Sequence, residues 1–492
     1  MTETMWLARR AMLAILLMVA FYVLAALIAV GLLWIPYAEW TYLHRIDFKI
    51  GLACIVTAVT LAMAVFPRPD RFEPPGPRLD ETEQPRLFAE LRAVATATRQ
   101  EMPTDVYLIN EVNAWVSNRG GTMGFGGRRV MGIGLPLLQG LTISEFKAVL
   151  AHEFGHYAAG DVRLGPWIYK TRAAIGRAME SLSESWLAWI FDAYGKMFMR
   201  LTLAISRQQE FLADALAART VHPMVMASAL RRTGGLAPAF ATYWTHEVAP
   251  ALEAGYLPPI ATGFNQFLGA PRISEAITRT VSHEVQESES SLYDTHPPLK
   301  ERLEALNRIA KPNLPFSSEP PAASLLEDVE QRARELLAFK AGDLAVQKLR
   351  EIGWSQLASD AYPAGWRKTA WHFKEFLSPY TADTLPTDRN AYAKLGSSMP
   401  GGGTRSSDER VTMSCRVVAA AVAVALLDAG ATVENQPGYP VVFRLRGMTM
   451  DPFGEVPRVV KGDVTVAEWQ ATCHAIGIAG RSLAPLAAEK TR

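Results

Sequence analysis

The hydrophobic pattern of this chain changes character along its length, and each change marks an element. From Ala11 to Ala38 no charged side chain occurs, a run long enough to cross a hydrocarbon core of about 30 Å as a helix. Ile50 to Phe66 is a second apolar run of 17 residues that stops at Pro67, near the lower limit for a span. Trp34, Tyr37 and Trp40 fall where the far interface of the first span belongs. The pattern predicts a transmembrane hairpin over residues 1–66, with spans at about 11–36 and 50–66. A cleaved signal peptide fits less well, because the apolar region is too long, no small-x-small site is clear and a second span follows closely. Arg9 and Arg10 lie on one side with Arg68, Arg71, Arg78 and Arg86, against Arg45 and Lys49 between the spans. That bias puts both ends, and whatever follows, in the cytoplasm.

Residues 67–86 hold six prolines among many charges and read as an extended linker leaving the membrane. Helical spacing then places Leu87, Leu91, Val94 and Ala95 on one side of a helix over Leu87–Arg99. Short strands are predicted at 105–110, 113–117 and 128–134. Gly124, Gly126 and Gly127 read as the turn of a hairpin, since no lysine and hydroxyl residue follow as a phosphate loop requires.

The chemistry begins in the next helix. Thr142 and Glu145 form a capping box before an apolar run of helical period, Gly160 stands where a left-handed C-cap would fall, and the run contains His152-Glu153-Phe154-Gly155-His156. Residues four apart share a helix face, so the two imidazoles can converge on one metal ion. Zinc accepts two neutral imidazoles and, in a catalytic site, a third protein ligand with a water in the fourth position. Glu153 is too close in sequence to be that ligand and is placed to take a proton from the water. The third ligand has to come from another element. Glu210, in Ser206-Arg207-Gln208-Gln209-Glu210-Phe211-Leu212-Ala213-Asp214, is the best candidate, and Asp214 one turn on would accept the spare N–H of a ligand histidine.

Together these two segments resemble the HtpX and CAAX prenyl protease (Ste-type) family of membrane zinc metallopeptidases. Asp161 after the first motif, Asn113-Ala114-Trp115-Val116, Met131-Gly132-Ile133-Gly134-Leu135 and Thr295-His296-Pro297-Pro298-Leu299-Lys300-Glu301-Arg302 extend the resemblance over roughly 86–310. It implies an α+β, mainly helical zincin-like (gluzincin) domain over 87–310, with His152, His156 and Glu210 binding one Zn2+ per chain and Glu153 as catalytic base. It also implies that an edge strand at Asn113, Ala114 and Trp115 receives the substrate as an added strand. Trp115 reads equally as a core aromatic. His296 is either a donor to a developing oxyanion or a helix-entry histidine satisfied by backbone. Arg302 either pairs with a carboxylate near the site or is solvated.

Between the two motifs, Trp186–Ser206 is strongly apolar, yet Asp192, Lys196 and Arg200 recur every four residues as a polar stripe. This predicts an amphipathic helix, packed on the domain or lying on the membrane surface, and departs from relatives that carry further spans here. Residues 221–295 read as helices broken at Gly234-Gly235 and Pro258-Pro259. His283-Glu284 lacks a second histidine at the required spacing.

Four prolines between Lys311 and Ala323 form a second linker, leaving 324–492 as an additional C-terminal α+β region. There Leu325–Ile352 has helical spacing, Ser397–Arg410 with its three glycines reads as a flexible tether, Val417–Leu427 as a buried helix too short to span, and Val441–Leu445 as a strand. No motif in it carries chemistry, and Cys473-His474 has no partner pair to make a metal site. The formal charge of +1, from 50 basic and 49 acidic residues, argues against a nucleic-acid partner. Three cysteines, Cys54, Cys415 and Cys473, build no disulfide framework and suit a reducing compartment.

The expectation is a multi-pass protein of the cell (inner) membrane with a cytoplasmic zinc endopeptidase domain acting on proteins or peptides, in membrane-protein quality control or protein processing. The alternative is a latent or inactive membrane-tethered scaffold acting through its C-terminal region. Substrate preference and oligomeric state leave no mark on the sequence.

Overall fold

A computed structural model describes the chain except for residues 1–2, 46, 67–71, 121–126, 159–160, 184, 186, 288–295, 311–318, 387 and 486–492. Gly124, Gly126, Gly160, Trp186 and Thr295 therefore lie outside the described residues. Helices predominate. Two compact units form, one from residues 1–237 and 279–329, the other from 238–278 and 330–492.

The first unit begins with two long helices, α1 (Glu3–Leu43) and α2 (Phe48–Val65), the second capped by Asp47 through the amides of Lys49 and Ile50. Both are long and apolar enough to cross a membrane, and exposed side chains such as Leu16, Val19, Val23 and Leu27 line α1. Two later helices pack on this pair. In α6 (Asp161–Ser181) and α7 (Ala188–Thr220), Ala174, Ala178, Phe191 and Phe198 close a core with Phe21, Ala25, Leu61 and Val65. Arg177 donates to the carbonyl of Ala64 and Tyr194 to that of Leu17. The predicted amphipathic helix at 186–206 and the Glu210 helix are thus one continuous rod of 33 residues. Its first half rests on the hairpin and its second half carries the acidic pair. Nothing in the local pattern could reveal the join, because both halves have the same helical period.

A four-stranded sheet lies in the same unit, formed by β1 (Arg78–Leu79), β2 (Asp105–Ile109), β3 (Ala114–Arg119) and β4 (Arg128–Gly134) in the order β1-β2-β4-β3. β2 and β4 run parallel; β3 is antiparallel to β4 and is an edge. Register sorts the side chains into two faces. One face includes Val106, Leu108, Met131, Ile133, Ala114, Val116, Asn118 and Arg129, and Asn118 and Arg129 touch Tyr157 of α5 (Ile143–Ala158). The other carries Arg78, Asp105, Tyr107, Gly132, Trp115, Ser117, Arg119 and Arg128. On the first face, α5 also packs on α3 (Pro85–Ala97), whose Leu87, Leu91, Val94 and Ala95 are buried as the spacing predicts. Gly234-Gly235 does not break a helix: it lies inside α8 (Pro223–Tyr243), where a Cβ on Gly234 would stand 2.9 Å from Glu284 Oε2. Gly234 packs closely against Glu284 rather than making a turn.

In the second unit the apolar run at 417–427 is the middle of a helix, Ser407–Asp428, capped by the Ser406/Glu409 box. Its length and composition would suit a membrane span, but 72% of its apolar window is buried. It is instead the core of this unit, surrounded by Tyr392, Phe443, Trp469 and Ile476. The three strands Thr432–Glu434, Val442–Leu445 and Met448–Met450 form an antiparallel sheet beside it. The stretch expected as a flexible tether is a tight turn between packed helices: Arg389–Ser397 lies against Ser407–Asp428 so closely that a Cβ on Gly396 would fall 2.4 Å from Arg410 O. Leu325–Ile352 is likewise shorter in helix than its spacing suggests, with helices at Val329–Ala341 and Asp343–Gln347 and then a strand at Arg350–Glu351.

Candidate metal centre

Helix α5 starts where its sequence says it should. Glu145 accepts from the Thr142 amide at 2.9 Å and the Glu145 amide reaches Thr142 Oγ1 at 3.3 Å, completing the box. Glu319 adds a second cap by accepting from both the amide and hydroxyl of Ser144, at 2.8 and 2.7 Å. Apolar Phe146, Ala148, Leu150, Ala151 and Phe154 are fully buried. The helix is therefore held at its start and along its apolar face, which orients the opposite side where the histidines stand.

α5 and α7 meet at Gly155. A Cβ there would lie 2.8 Å from the Cα of Ala213 and 3.0 Å from its Cβ. This close crossing brings the two i,i+4 pairs together. His152 Nε2 and His156 Nε2 are 3.2 Å apart. Each is 3.5 Å from one oxygen of Glu210, and one ligand atom from each of the three residues falls within 4.8 Å of the others. Two nitrogens at tetrahedral positions around zinc, each about 2.05 Å from it, would stand roughly 3.3 Å apart. Glu210 Oε2 is buried and makes no hydrogen bond. A cation would give that oxygen a direct ligand bond beside the 3.3 Å ion pair it makes with Arg302 Nη1, so the donor set and its spacing suit a tetrahedral metal.

Behind these atoms stands a second layer. His152 Nδ1 lies 2.9 Å from Asp214 Oδ1, which turns Nε2 toward Glu210. Arg302, from the helix Leu299–Asn307, donates Nε and Nη2 to the two oxygens of Asp214 at 2.8 and 2.6 Å, and its Nη1 is 3.3 Å from Glu210 Oε2. His296 approaches from the same segment, with Nδ1 2.9 Å from Glu210 Oε1. Burial alone would raise both carboxylates. Against it, the hydrogen bond from His296 and the charges of His152 and Arg302 hold Glu210 at about 2. Hydrogen bonds from Arg302 and His152 likewise hold Asp214 at about 2. At Glu153 desolvation outweighs the charges of His152, His156 and His296 and pushes the carboxyl above the usual range. Two of the acids are thus shifted down and the third up, the direction that strengthens Glu153 as a base on a reacting water.

The structure brings His152, His156, Glu153, Glu210, Asp214 and His296 into one place. β3 passes over the same helix, where Tyr157 donates to Asn118 Oδ1 at 3.4 Å and the Arg129 guanidinium stacks 4.2 Å from the Tyr157 ring. Ala114 is on this face. The Trp115 side chain is on the other, its indole so close over Gly132 that a Cβ there would sit 2.5 Å from Cε2. Three residues had not been singled out at this site from sequence: Gly155, Tyr157 and Arg129. Gly155 fills a variable place of the motif, and only the crossing of α5 and α7 shows what a larger residue would strike. Arg302 had two readings open, and the structure brings it to the acidic pair.

Residues 81–310 match the model of peptidase family M48. A protease HtpX homolog of Tropheryma whipplei (strain Twist) is 27% identical over 179 residues, covering 32% of this chain and 59% of the relative; the chain thus spans under two thirds of that relative's length. Protease HtpX of Escherichia coli (strain SMS-3-5 / SECEC) is 27% identical over 259 residues, covering 46% of this chain and 75% of the relative.

Proposed function

From a chain whose residues 81–310 are a domain of peptidase family M48, we propose a membrane-anchored zinc endopeptidase that hydrolyses peptide bonds of protein substrates. The observation that carries this reading is the convergence of His152, His156 and Glu210 from two helices on one point, with Glu153 beside them. These three residues would hold the ion. When bound, zinc supplies Lewis acidity, lowering the pKa of a water and polarising a carbonyl.

The remaining steps belong to the protein. Glu153 Oε takes a proton from the attacking water and later delivers it to the leaving amine. Asp214 holds His152 in the tautomer that presents Nε2, and Arg302 keeps Asp214 ionised. His296, bound to Glu210 through Nδ1, has Nε2 left to donate to the oxyanion that develops. The edge strand β3, at Ala114 and Trp115 with Asn113 just before it, receives the substrate backbone as an added strand. The α1-α2 hairpin anchors the domain in the cell (inner) membrane with the site in the cytoplasm, suited to quality control or processing of membrane-associated proteins.

Zinc stoichiometry and casein or self-cleavage on detergent-purified wild type and Glu153→Gln test the reading. One zinc in each with cleavage only in wild type is the expected result, the variant losing on the order of 10²–10⁴-fold in rate. Absence of zinc from both would sink the site. Zinc without cleavage in either would mean a latent enzyme or a scaffold.

A further inference from the structure

The sheet face turned away from the metal centre carries a cross-strand pair that fold stability does not call for. Arg119 of β3 and Arg128 of β4 are directly opposite each other, and like charges in that position are destabilising. Both guanidinia stand over one ring, Phe72, at 5.6 and 5.3 Å from its centroid, a cation–π arrangement that fixes them side by side. Arg78 is on the same face. Buried Asp105, 3.1 Å from both Arg78 and Arg128, is a carboxylate that faces this group. Phe72 and Trp115 are the half-buried rings beside them, with buried Tyr107 5.6 Å behind Phe72 and Trp115 lying over Gly132.

The position of Phe72 identifies what this face meets. It follows Phe66, the cap residue of α2, by six residues, so the patch is within about 21 Å of chain from the end of the membrane hairpin. Arginine mixed with half-exposed aromatic rings is the composition that settles at a headgroup layer. We propose that Arg119 and Arg128, clamped by Phe72, bind anionic lipid headgroups of the bilayer that holds α1 and α2, so that the sheet rests against the membrane with its α5 face, and the edge strand's path across the site, directed away from it. This rests on the hairpin lying in a bilayer and is independent of the metal and of peptidase activity.

Hydrogen exchange on the full chain in nanodiscs tests it without any activity readout. Amides of β3 and β4 should exchange more slowly in phosphatidylcholine discs containing phosphatidylglycerol than in phosphatidylcholine alone, by on the order of fivefold for each arginine that meets the anionic surface. The difference should vanish in Arg119→Gln/Arg128→Gln, survive in Arg119→Lys/Arg128→Lys, and shrink at high salt. Equal exchange of wild type in the two lipids would overturn the proposal, whatever the variants do. So would protection reproduced in phosphatidylcholine discs by millimolar inorganic phosphate, which would mark a free-anion site, or lipid-dependent protection that persists in the double Gln variant.

Discussion

Arg302 grips Asp214 with a two-pronged hydrogen bond, Nε to Oδ2 at 2.8 Å and Nη2 to Oδ1 at 2.6 Å, while the same Oδ1 lies 2.9 Å from His152 Nδ1. Asp214 is thus shared between an arginine far along the chain and a histidine of the metal-binding motif. With side chains only 12% and 2% exposed, neither partner has water to fall back on. Arg302→Ala should cost about 3–5 kcal/mol of stability, because it leaves a buried carboxylate unpaired. It should also weaken zinc binding about 10–100-fold, as loss of a ligand's orienting partner does. Chelator competition and thermal unfolding measure the two effects. Arg302→Lys restores charge but not the fork, so it should recover stability in part and remain well below wild type in zinc affinity.

Gly155 should tolerate nothing larger. A methyl group at that position meets Ala213 Cα at 2.8 Å, so α5 and α7 have to separate by several tenths of an ångström. Gly155→Ala is expected to destabilise the unit by about 1–3 kcal/mol and to lower zinc affinity, since Glu210 rides on the displaced helix. Gly155→Ala paired with Ala213→Gly should recover part of both losses in a double-mutant cycle. Additive effects would show that the crossing is not what makes the glycine necessary.

Removing one ligand separates metal loss from base loss. His156→Ala should bind no zinc at micromolar metal, whereas Glu153→Gln keeps it. Metal analysis after gel filtration decides, and equal zinc in His156→Ala and wild type would remove His156 from the ligand set.

The second unit has its own pH dependence. Glu247 stands in a single π-helical turn, Trp244–Val248, and accepts from the Gly438 amide at 3.2 Å. Burial raises its carboxyl to about 7 despite that hydrogen bond. In the unfolded chain the value is near 4.5, so the unfolded state releases its proton first as pH rises. Stability contributed at this position is therefore greatest below about 4.5 and declines through the interval to about 7. Glu247→Gln mimics the protonated form. It should match wild type near pH 4, exceed it in melting temperature at pH 8, and flatten the slope between. A variant whose melting temperature tracks wild type across that range would contradict this.

Much of the site was legible because it is local. His152 and His156, and again Glu210 and Asp214, are one helical turn apart, and a period of 3.6 residues puts each pair on one face whatever surrounds it. The capping box of Thr142 and Glu145 and the strands at 105–109 and 128–134 are equally short-range. Composition and run length likewise determine that α1 and α2 are apolar enough for a bilayer. The same criterion also admits Ser407–Asp428, and only its packing against Tyr392, Phe443 and Trp469 separates a core helix from a span. Tertiary structure alone decided that 188–220 is a single rod linking the membrane hairpin to the acidic pair, that Gly155 lets α5 and α7 touch, and that Arg302 reaches Asp214 across 88 residues. It also decided which sheet face Trp115, Arg119 and Arg128 share. Periodicity states which residues of one element lie together; what that face meets depends on register and crossing angle, set by atoms distant in the chain.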